Sequence, residues 1–113
     1  MAVHTDVTEY GRISVITVRN ELTGESVETF RQSAARCVDE HRYEMIVDCS
    51  SLNQIDSAGL EALVDLLNSC EGELGTVKLC GADETIRKIL ELTRLARRFE
   101  VFDDLDAAVK SFS

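Results

Sequence analysis

The sequence IVDCSSLNQIDSAGL, residues 46–60, decides the fold. With the preceding Met45, Ile46 and Val47 form a continuous apolar run that is too short for a typical helix. Such a run is typical of a strand that is covered on both faces. A polar stretch follows, and Asp56 and Ser57 are residue types that cap helices. The stretch therefore predicts a buried strand, a polar loop and the start of a helix.

The helix predicted after Ser57 has one apolar and one polar face. Its apolar positions recur at helical spacing, and charged or amide side chains lie opposite them. Gly72 and Gly75 mark its end. The apolar positions are Leu60, Leu63, Val64 and Leu67, and the polar ones are Glu61, Asp65 and Asn68.

Three further elements are predicted toward the C-terminus. Residues 76–80 form a strand, Asp83 caps a third helix, and residues 99–102 form a last short strand. Asp103 or Asp104 caps a final helix. The apolar positions of these two helices are Ile86, Ile89, Leu90, Leu105, Ala108, Val109 and Phe112.

The N-terminal residues predict a hairpin and then a helix. Residues 3–8 and 13–18 alternate apolar and polar side chains, and a Tyr-Gly turn at residues 10–11 separates them. From Glu25 the apolar spacing becomes helical. The N-cap candidates are Thr23 and Ser26, and one helical face carries Val27, Phe30, Ala34, Cys37, Val38 and His41.

The resulting element order is β-β-α-β-α-β-α-β-α. Helical crossovers join parallel strands after an initial hairpin, which predicts an α/β fold with a mixed, largely parallel sheet and helices packed on it. The 113 residues suit a single domain spanning residues 1–113.

The net charge of -9 bears on the partners of the chain. A strongly acidic protein repels phosphate backbones, so direct nucleic-acid binding is not expected, and a partner with a basic patch is favoured. No apolar run approaches the roughly 18 residues that span a bilayer, so membrane insertion is not expected and the cytoplasm is the expected location. Buried, reduced thiols are expected at Cys37, Cys49, Cys70 and Cys80.

Catalytic and cofactor motifs are missing from the sequence. It has no phosphate-binding glycine-lysine loop, no dinucleotide fingerprint and no G-x-S-x-G elbow. The histidines, His4 and His41, have no partners that suggest a metal site or a general base. We therefore expect no enzymatic activity, no cofactor and no metal.

Ser57 is the candidate functional residue. A helix that starts at the carboxyl end of a parallel strand lies where open α/β sheets bind ligands, and its N-terminus favours a negative group such as a phosphate. Gly59 suggests a bare spot where another backbone approaches. The simpler interpretation is that Asp56 or Ser57 is only an N-cap.

The chain resembles the STAS domains, and among them the anti-sigma factor antagonists. Residues 46–60 are similar to the family's aliphatic-aspartate strand, variable loop and D-S-[SA]-G-L helix start. Residues 89–103 are similar to the family's leucine-rich helix and last strand. The resemblance covers essentially the whole chain.

The resemblance implies that Ser57 is phosphorylated by an anti-sigma factor that is also a serine kinase, and that a serine phosphatase reverses this. The unmodified form binds the anti-sigma factor, and the modified form releases it. Two departures are Ala58, where many antagonists have serine, and the segment at residues 20–23. The implied partner-binding residues are Asn20, Glu21, Leu22, Thr23, Asp56, Ser57, Ala58, Gly59, Leu60 and Glu61.

Three alternatives stay open at this point. The protein could be a constitutive adaptor that uses the same surface to dock on a transporter ATPase or in a signalling complex, without phosphorylation switching. The four cysteines admit a thiol-based redox protein. Nucleotide binding by the domain itself has no recognisable phosphate loop to support it.

Overall fold

A single five-stranded sheet organises the computed structural model, which describes residues 5–112. The strands lie in the order of the chain, β1 to β5. β1 is antiparallel to β2, and every later neighbour is parallel. The strands are β1 Thr5–Tyr10, β2 Ile13–Leu22, β3 Glu44–Ile55, β4 Thr76–Cys80 and β5 Val101–Phe102.

Four helices complete the predicted element order, which is confirmed. Three of them connect parallel neighbours and pack on one face of the sheet, as right-handed crossovers require. The fourth covers part of the other face. The helices are α1 Val27–Asp39, α2 Ser57–Glu71, α3 Glu84–Leu92 and α4 Leu105–Lys110, with a 3-10 turn at Leu95–Arg97.

The main core lies between the sheet and α1, α2 and α3. The predicted core positions Leu63, Leu67, Ile86 and Leu90 are all buried. Val64 is only half-buried, while Leu66 is buried and was not predicted. A smaller cluster under α4 contains Ile13, Val15, Ile46, Cys80 and Ala108.

The polar loop predicted after residue 47 is wrong, because β3 continues to Ile55. Its second half pairs with the second half of β2, which runs beyond the predicted residue 18 to Leu22. Two register shifts place additional residues in β3, so its buried positions are three apart, at Cys49, Leu52 and Ile55. This spacing hides the alternation that identifies a strand.

Smaller boundary differences occur at other elements. β5 contains only Val101–Phe102 of the predicted residues 99–102. α1 ends at Asp39, so His41 lies beyond the helix, exposed and with a φ of 61°. The predicted cap Asp83 is confirmed, and of the two candidates Asp103 and Asp104 it is Asp104 that caps α4, since each cap accepts a hydrogen bond from a first-turn amide. His4 and the start predicted for β1 at residue 3 lie outside the described residues.

The four cysteines are buried and unpaired, as predicted. Burial raises the pKa of Cys49 and of Cys80 to about 12, and that of Cys70 to about 11. Burial also raises the pKa of Cys37. Because the thiolate is the reactive form, these environments disfavour the redox alternative. None of the helices within residues 5–112 is long and apolar enough to cross a bilayer.

The core assignment predicts unequal effects for two matched leucine truncations. Leu67→Ala removes a side chain with 0% exposure and should lower the free energy of unfolding by about 2–5 kcal/mol. Leu92→Ala removes a side chain with 73% exposure and should change it by less than about 0.5 kcal/mol. Urea denaturation of both variants measures the difference, and equal effects would contradict the assignment.

Candidate functional site

The candidate site lies where β2 and β3 end side by side. Leu22 pairs with Ile55 at the last position of the two strands. The chain enters the β2–α1 loop directly after Leu22 and enters α2 at Ser57. Two segments thirty or more positions apart in sequence, residues 20–26 and 56–61, are therefore brought together.

Asp56 connects the two segments. Its Oδ1 accepts a hydrogen bond from the Gly59 amide at 3.0 Å, which caps α2. Its Oδ2 accepts one from the Gly24 amide at 2.9 Å, in the β2–α1 loop. Its own amide donates to the Leu22 carbonyl at 3.3 Å. One side chain thus caps a helix and holds the neighbouring loop against it.

The same contacts control the ionisation of Asp56. The amide of Gly24, and then that of Gly59, hold the pKa of the Asp56 carboxyl below its ordinary value. The carboxylate is therefore the form that fits the site.

Gly59 allows the end of β2 to lie against the first turn of α2. A Cβ added at Gly59 would lie 2.1 Å from the Leu22 carbonyl oxygen and 2.8 Å from Cγ1 of Ile55. The bare spot inferred from sequence therefore exists, but the backbone that approaches it belongs to this chain. Gly59 is buried, so its part in the proposed surface is to shape the start of α2.

The β2–α1 loop has its own hydrogen-bond network. The Thr23 hydroxyl donates to the Glu21 carboxylate at 2.6 Å, and the Thr23 amide donates to the Ser26 hydroxyl at 3.0 Å. Ser26 is at the N-cap position of α1. Its hydroxyl donates to the Glu21 carbonyl at 3.0 Å and makes no capping hydrogen bond to the helix. This network holds the loop in one conformation before any partner arrives.

Ser57 is the exposed first residue of α2. Within residues 5–112 its hydroxyl makes no hydrogen bond, so the oxygen is free to react or to meet a partner. The helix N-terminus beneath it stabilises a negative group at this position. An exposed, unengaged hydroxyl on a fixed helix start is what a modification site requires.

The surface around Ser57 is acidic. An open cleft of about 350 Å³ beside it is lined by carboxylates of Glu21, Glu25 and Asp56. Glu61 is exposed one helical turn after Ser57. In the part of the chain that the structure describes, no group of three or more acidic, histidine or cysteine side chains is arranged to hold a metal ion. The ends of β2 and β3 therefore present an acidic surface next to the start of α2.

The ten residues implied by the resemblance divide by exposure. Leu22 and Thr23 are buried like Gly59, so their main part in the proposed surface is to shape it, although Thr23 also lines the cleft. Sequence reasoning missed Gly24, Glu25 and Gln54, which line the cleft beside Asp56. The exposed or half-buried members are Asn20, Glu21, Asp56, Ser57, Ala58, Leu60 and Glu61.

Gly59→Ala should lower stability even though alanine favours helices. The helical preference contributes about 1 kcal/mol, but the new Cβ must displace the Leu22 carbonyl, and overpacking of this kind costs roughly 1–3 kcal/mol or more. Gly72→Ala is the control, because its Cβ would lie at least 3.4 Å from its neighbours. Thermal unfolding compares them, and a Gly59→Ala variant more stable than the native protein would contradict the close approach.

The lowered pKa of Asp56 predicts how the loop responds to pH. A group whose pKa is lowered by folding stabilises the fold above its unfolded pKa, and this contribution is lost as pH falls through the lowered value. In an NMR titration, the amide shifts of Gly24 and Gly59 should change together with a midpoint below that of an ordinary aspartate. Asp56→Asn should abolish the transition, and a midpoint at or above the ordinary value would oppose the assignment.

Comparison with known proteins identifies the architecture. An anti-sigma factor antagonist from Mycobacterium paratuberculosis superposes with a TM-score of 0.86 at 22% identity, over 95% of this chain and 91% of that one. The Bacillus anti-sigma factor antagonist SpoIIAA, in its phosphorylated form, gives 0.79 at 19%, over 96% and 99%. A sulfate transporter family protein from Wolinella succinogenes gives 0.79 at 18%, over 92% and 87%.

These identities are low enough that the likeness establishes the fold alone. The family is established separately, because the family model for the STAS domain matches residues 4–108. That range contains both segments of the candidate site and all five strands. The chain belongs to the STAS domain family.

Proposed function

We propose that this protein is an anti-sigma factor antagonist whose binding is switched by phosphorylation of Ser57. The observation that carries the proposal is the exposed, unengaged hydroxyl of Ser57 at the start of α2. Structural neighbours of this chain are anti-sigma factor antagonists, and one of them is known in a phosphorylated form.

The docking surface in this proposal combines the start of α2 with the β2–α1 loop. Asp56 fixes the two segments relative to each other through its bonds to Gly24 and Gly59. A surface fixed before binding loses little conformational entropy on association, which favours a specific complex. The contact residues we propose are Asn20, Glu21, Asp56, Ser57, Ala58, Leu60 and Glu61.

The switching step is a phosphoryl transfer. The partner would be an anti-sigma factor that is also a serine kinase and uses ATP. A bond forms between Ser57 Oγ and the γ-phosphorus, the bond from that phosphorus to the ADP leaving group breaks, and the hydroxyl proton is released. A serine phosphatase would restore the hydroxyl by hydrolysis. Because Ala58 has no hydroxyl, Ser57 is the single acceptor at this helix start.

The physical effect of the phosphate follows from its charge and place. It adds about −1.5 to −2 charges at pH 7. The helix N-terminus tolerates this charge, so the fold should persist. An acidic or apolar partner patch facing Ser57 would repel this dianion, whereas arginines there would attract it, so the proposed release requires an acidic or apolar patch opposite Ser57. Phosphorylation therefore weakens docking without unfolding the domain.

A second candidate function is a constitutive adaptor that docks on a transporter or a signalling complex through the same surface. The likeness to a sulfate transporter family protein favours it, because it shows that this fold also occurs in a transporter family. The adaptor predicts binding that does not depend on the state of Ser57.

The two functions differ in how binding responds to charge at Ser57. To separate the two functions, partners are captured from the source organism with the native protein, Ser57→Ala and Ser57→Asp as baits. The purified partner is then titrated against each of the three. We expect Ser57→Asp to weaken binding of an anti-sigma factor by roughly tenfold or more, about 1.4 kcal/mol. Ser69→Asp, an exposed serine on the same helix, is the control and should bind like the native chain. Equal binding by all variants would support the adaptor.

Phosphorylation itself is tested with the purified kinase partner and radiolabelled ATP. The native protein and Ser69→Ala should incorporate label, and Ser57→Ala should not. Label on Ser57→Ala equal to that on the native protein would refute the assignment of Ser57.

A further inference from the structure

Charge is strongly segregated along this chain. Residues 84–98 carry five basic and two acidic residues, a net charge of +3. All other residues together carry seven basic and nineteen acidic ones, a net charge of -12. A basic segment in an otherwise acidic protein is an independent feature that the Ser57 site does not explain.

The basic segment presents unpaired cations around an exposed leucine. Lys88, Arg94 and Arg97 are exposed and, within residues 5–112, their side chains make no ion pair or hydrogen bond. Leu92 follows Lys88 by one helical turn and has 73% exposure. We call Lys88, Leu92, Arg94 and Arg97 the basic end. Glu91, next to Leu92, is also exposed, so three unpaired cations stand against one carboxylate close to this leucine in sequence, and an exposed apolar side chain with polar neighbours is typical of a protein contact.

The basic end lies beside the C-terminal end of α2. Arg98 donates hydrogen bonds to the Asn68 side chain at 2.8 Å and to the Glu71 carboxylate at 3.2 Å, both in the last turns of that helix. This places the 3-10 turn Leu95–Arg97 next to the end of α2 that is farthest from Ser57.

The opposite end presents a matching set of unpaired carboxylates. Glu25, Glu28 and Glu61 are exposed and make no ion pair or hydrogen bond with the rest of the described chain. They lie on the first turns of α1 and α2 and on the loop before α1. We call Glu25, Glu28 and Glu61 the acidic end.

We propose that two copies of this chain associate side by side with their α2 helices antiparallel, so that the basic end of each copy meets the acidic end of the other. The 15 residues of α2 separate the two ends by about 22 Å. A two-fold arrangement then forms both contacts at once and closes the assembly as a dimer.

The middle of the proposed contact carries little unbalanced charge. Asp65, on the outer face of α2, is paired with Arg31 at 2.9 Å. The attraction therefore comes from the two ends, each of which joins three cations to three carboxylates, and Leu92 is buried in the contact. Exposed ion pairs are individually weak and are screened by salt. The dimer should thus be weak and strongly dependent on ionic strength.

This proposal concerns the unmodified protein, and its acidic end shares Glu61 with the docking surface proposed around Ser57. Every copy of the chain carries both ends, so a second copy always offers an acidic end that can bind the basic end. A membrane or a nucleic acid would have to overcome the net charge of -9 of the whole chain. Such partners are outcomes of the test below. A monomeric protein that still responds to Ser57→Asp would reject the dimer and leave the proposed function intact.

Sedimentation equilibrium of the full chain at low and high salt is the first measurement. The screening length falls from roughly 30 Å at about 0.01 M to about 3 Å at about 1 M salt. We expect a monomer–dimer equilibrium at low salt and a monomer at high salt. A monomer at every concentration and salt, or a dimer that high salt does not weaken, would overturn the proposal.

A charge exchange between the two ends supplies the decisive test. The double variant Arg94→Glu/Arg97→Glu should not dimerise, because its basic end becomes acidic and faces the acidic end of a second copy. The double variant Glu25→Arg/Glu61→Arg should not dimerise either, because its acidic end becomes basic. An equimolar mixture of the two should dimerise like the native chain, since every contact again joins opposite charges. Arg36→Glu on α1, also exposed and unpaired, is the control and should leave the native dimer unchanged.

Two results would reject the assignment of the surface. One is a mixture of exchanged variants that stays monomeric although both variants are folded by circular dichroism. The other is a monomeric native protein that sediments with phosphatidylglycerol vesicles and loses this binding in Arg94→Glu with Arg97→Glu, which would assign the basic end to an anionic lipid surface.

Discussion

The structure depends on the close approach of the end of β2 to the first turn of α2. The Leu22 carbonyl lies where a side chain at position 59 would be, and only a glycine leaves room for it. Asp56 then bonds to both sides of this contact, through the amides of Gly24 and Gly59. These hydrogen bonds and the close backbone contact join the loop and the helix start into one unit.

This unit explains how a small domain presents a defined surface. The residues that hold it together, Leu22, Thr23 and Gly59, are buried. Exposed residues of the site such as Ser57 are held in position by these buried residues, since the Ser57 side chain makes no hydrogen bond of its own within residues 5–112. Under the proposed function, a single added charge at Ser57 changes what can dock while the unit stays intact. The division separates stability from regulation, and it allows one fold to serve different partners.

Charge adds a second level of organisation. The Ser57 surface is acidic, and the segment around α3 and the following 3-10 turn is basic, although the chain as a whole has a net charge of -9. Helix α2 connects the two surfaces, with the exposed serine at its N-terminus and Arg98 bonded near its C-terminus. The charge of the domain therefore differs between the two ends of α2, and this difference affects how a charged partner can orient against it.

The element order, the cap Asp83 and most of the core follow from the sequence, which also reduced the caps of α2 and α4 to Asp56 or Ser57 and to Asp103 or Asp104. These follow from local rules, since helical spacing and capping involve residues a few positions apart. The sequence also singled out Ser57, because a helix start after a buried strand is a local pattern.

Tertiary structure alone decided the rest. The length of β3 was hidden because its bulges space the buried residues Cys49, Leu52 and Ile55 three apart, and only pairing with β2 makes them a strand. The role of Gly59 was hidden for the same reason, since the atom that excludes a Cβ there belongs to Leu22, far away in sequence. No local pattern predicts that Leu22 and Thr23 are buried or that the Gly24 amide bonds to Asp56. Both features depend on contacts between segments that are distant in sequence.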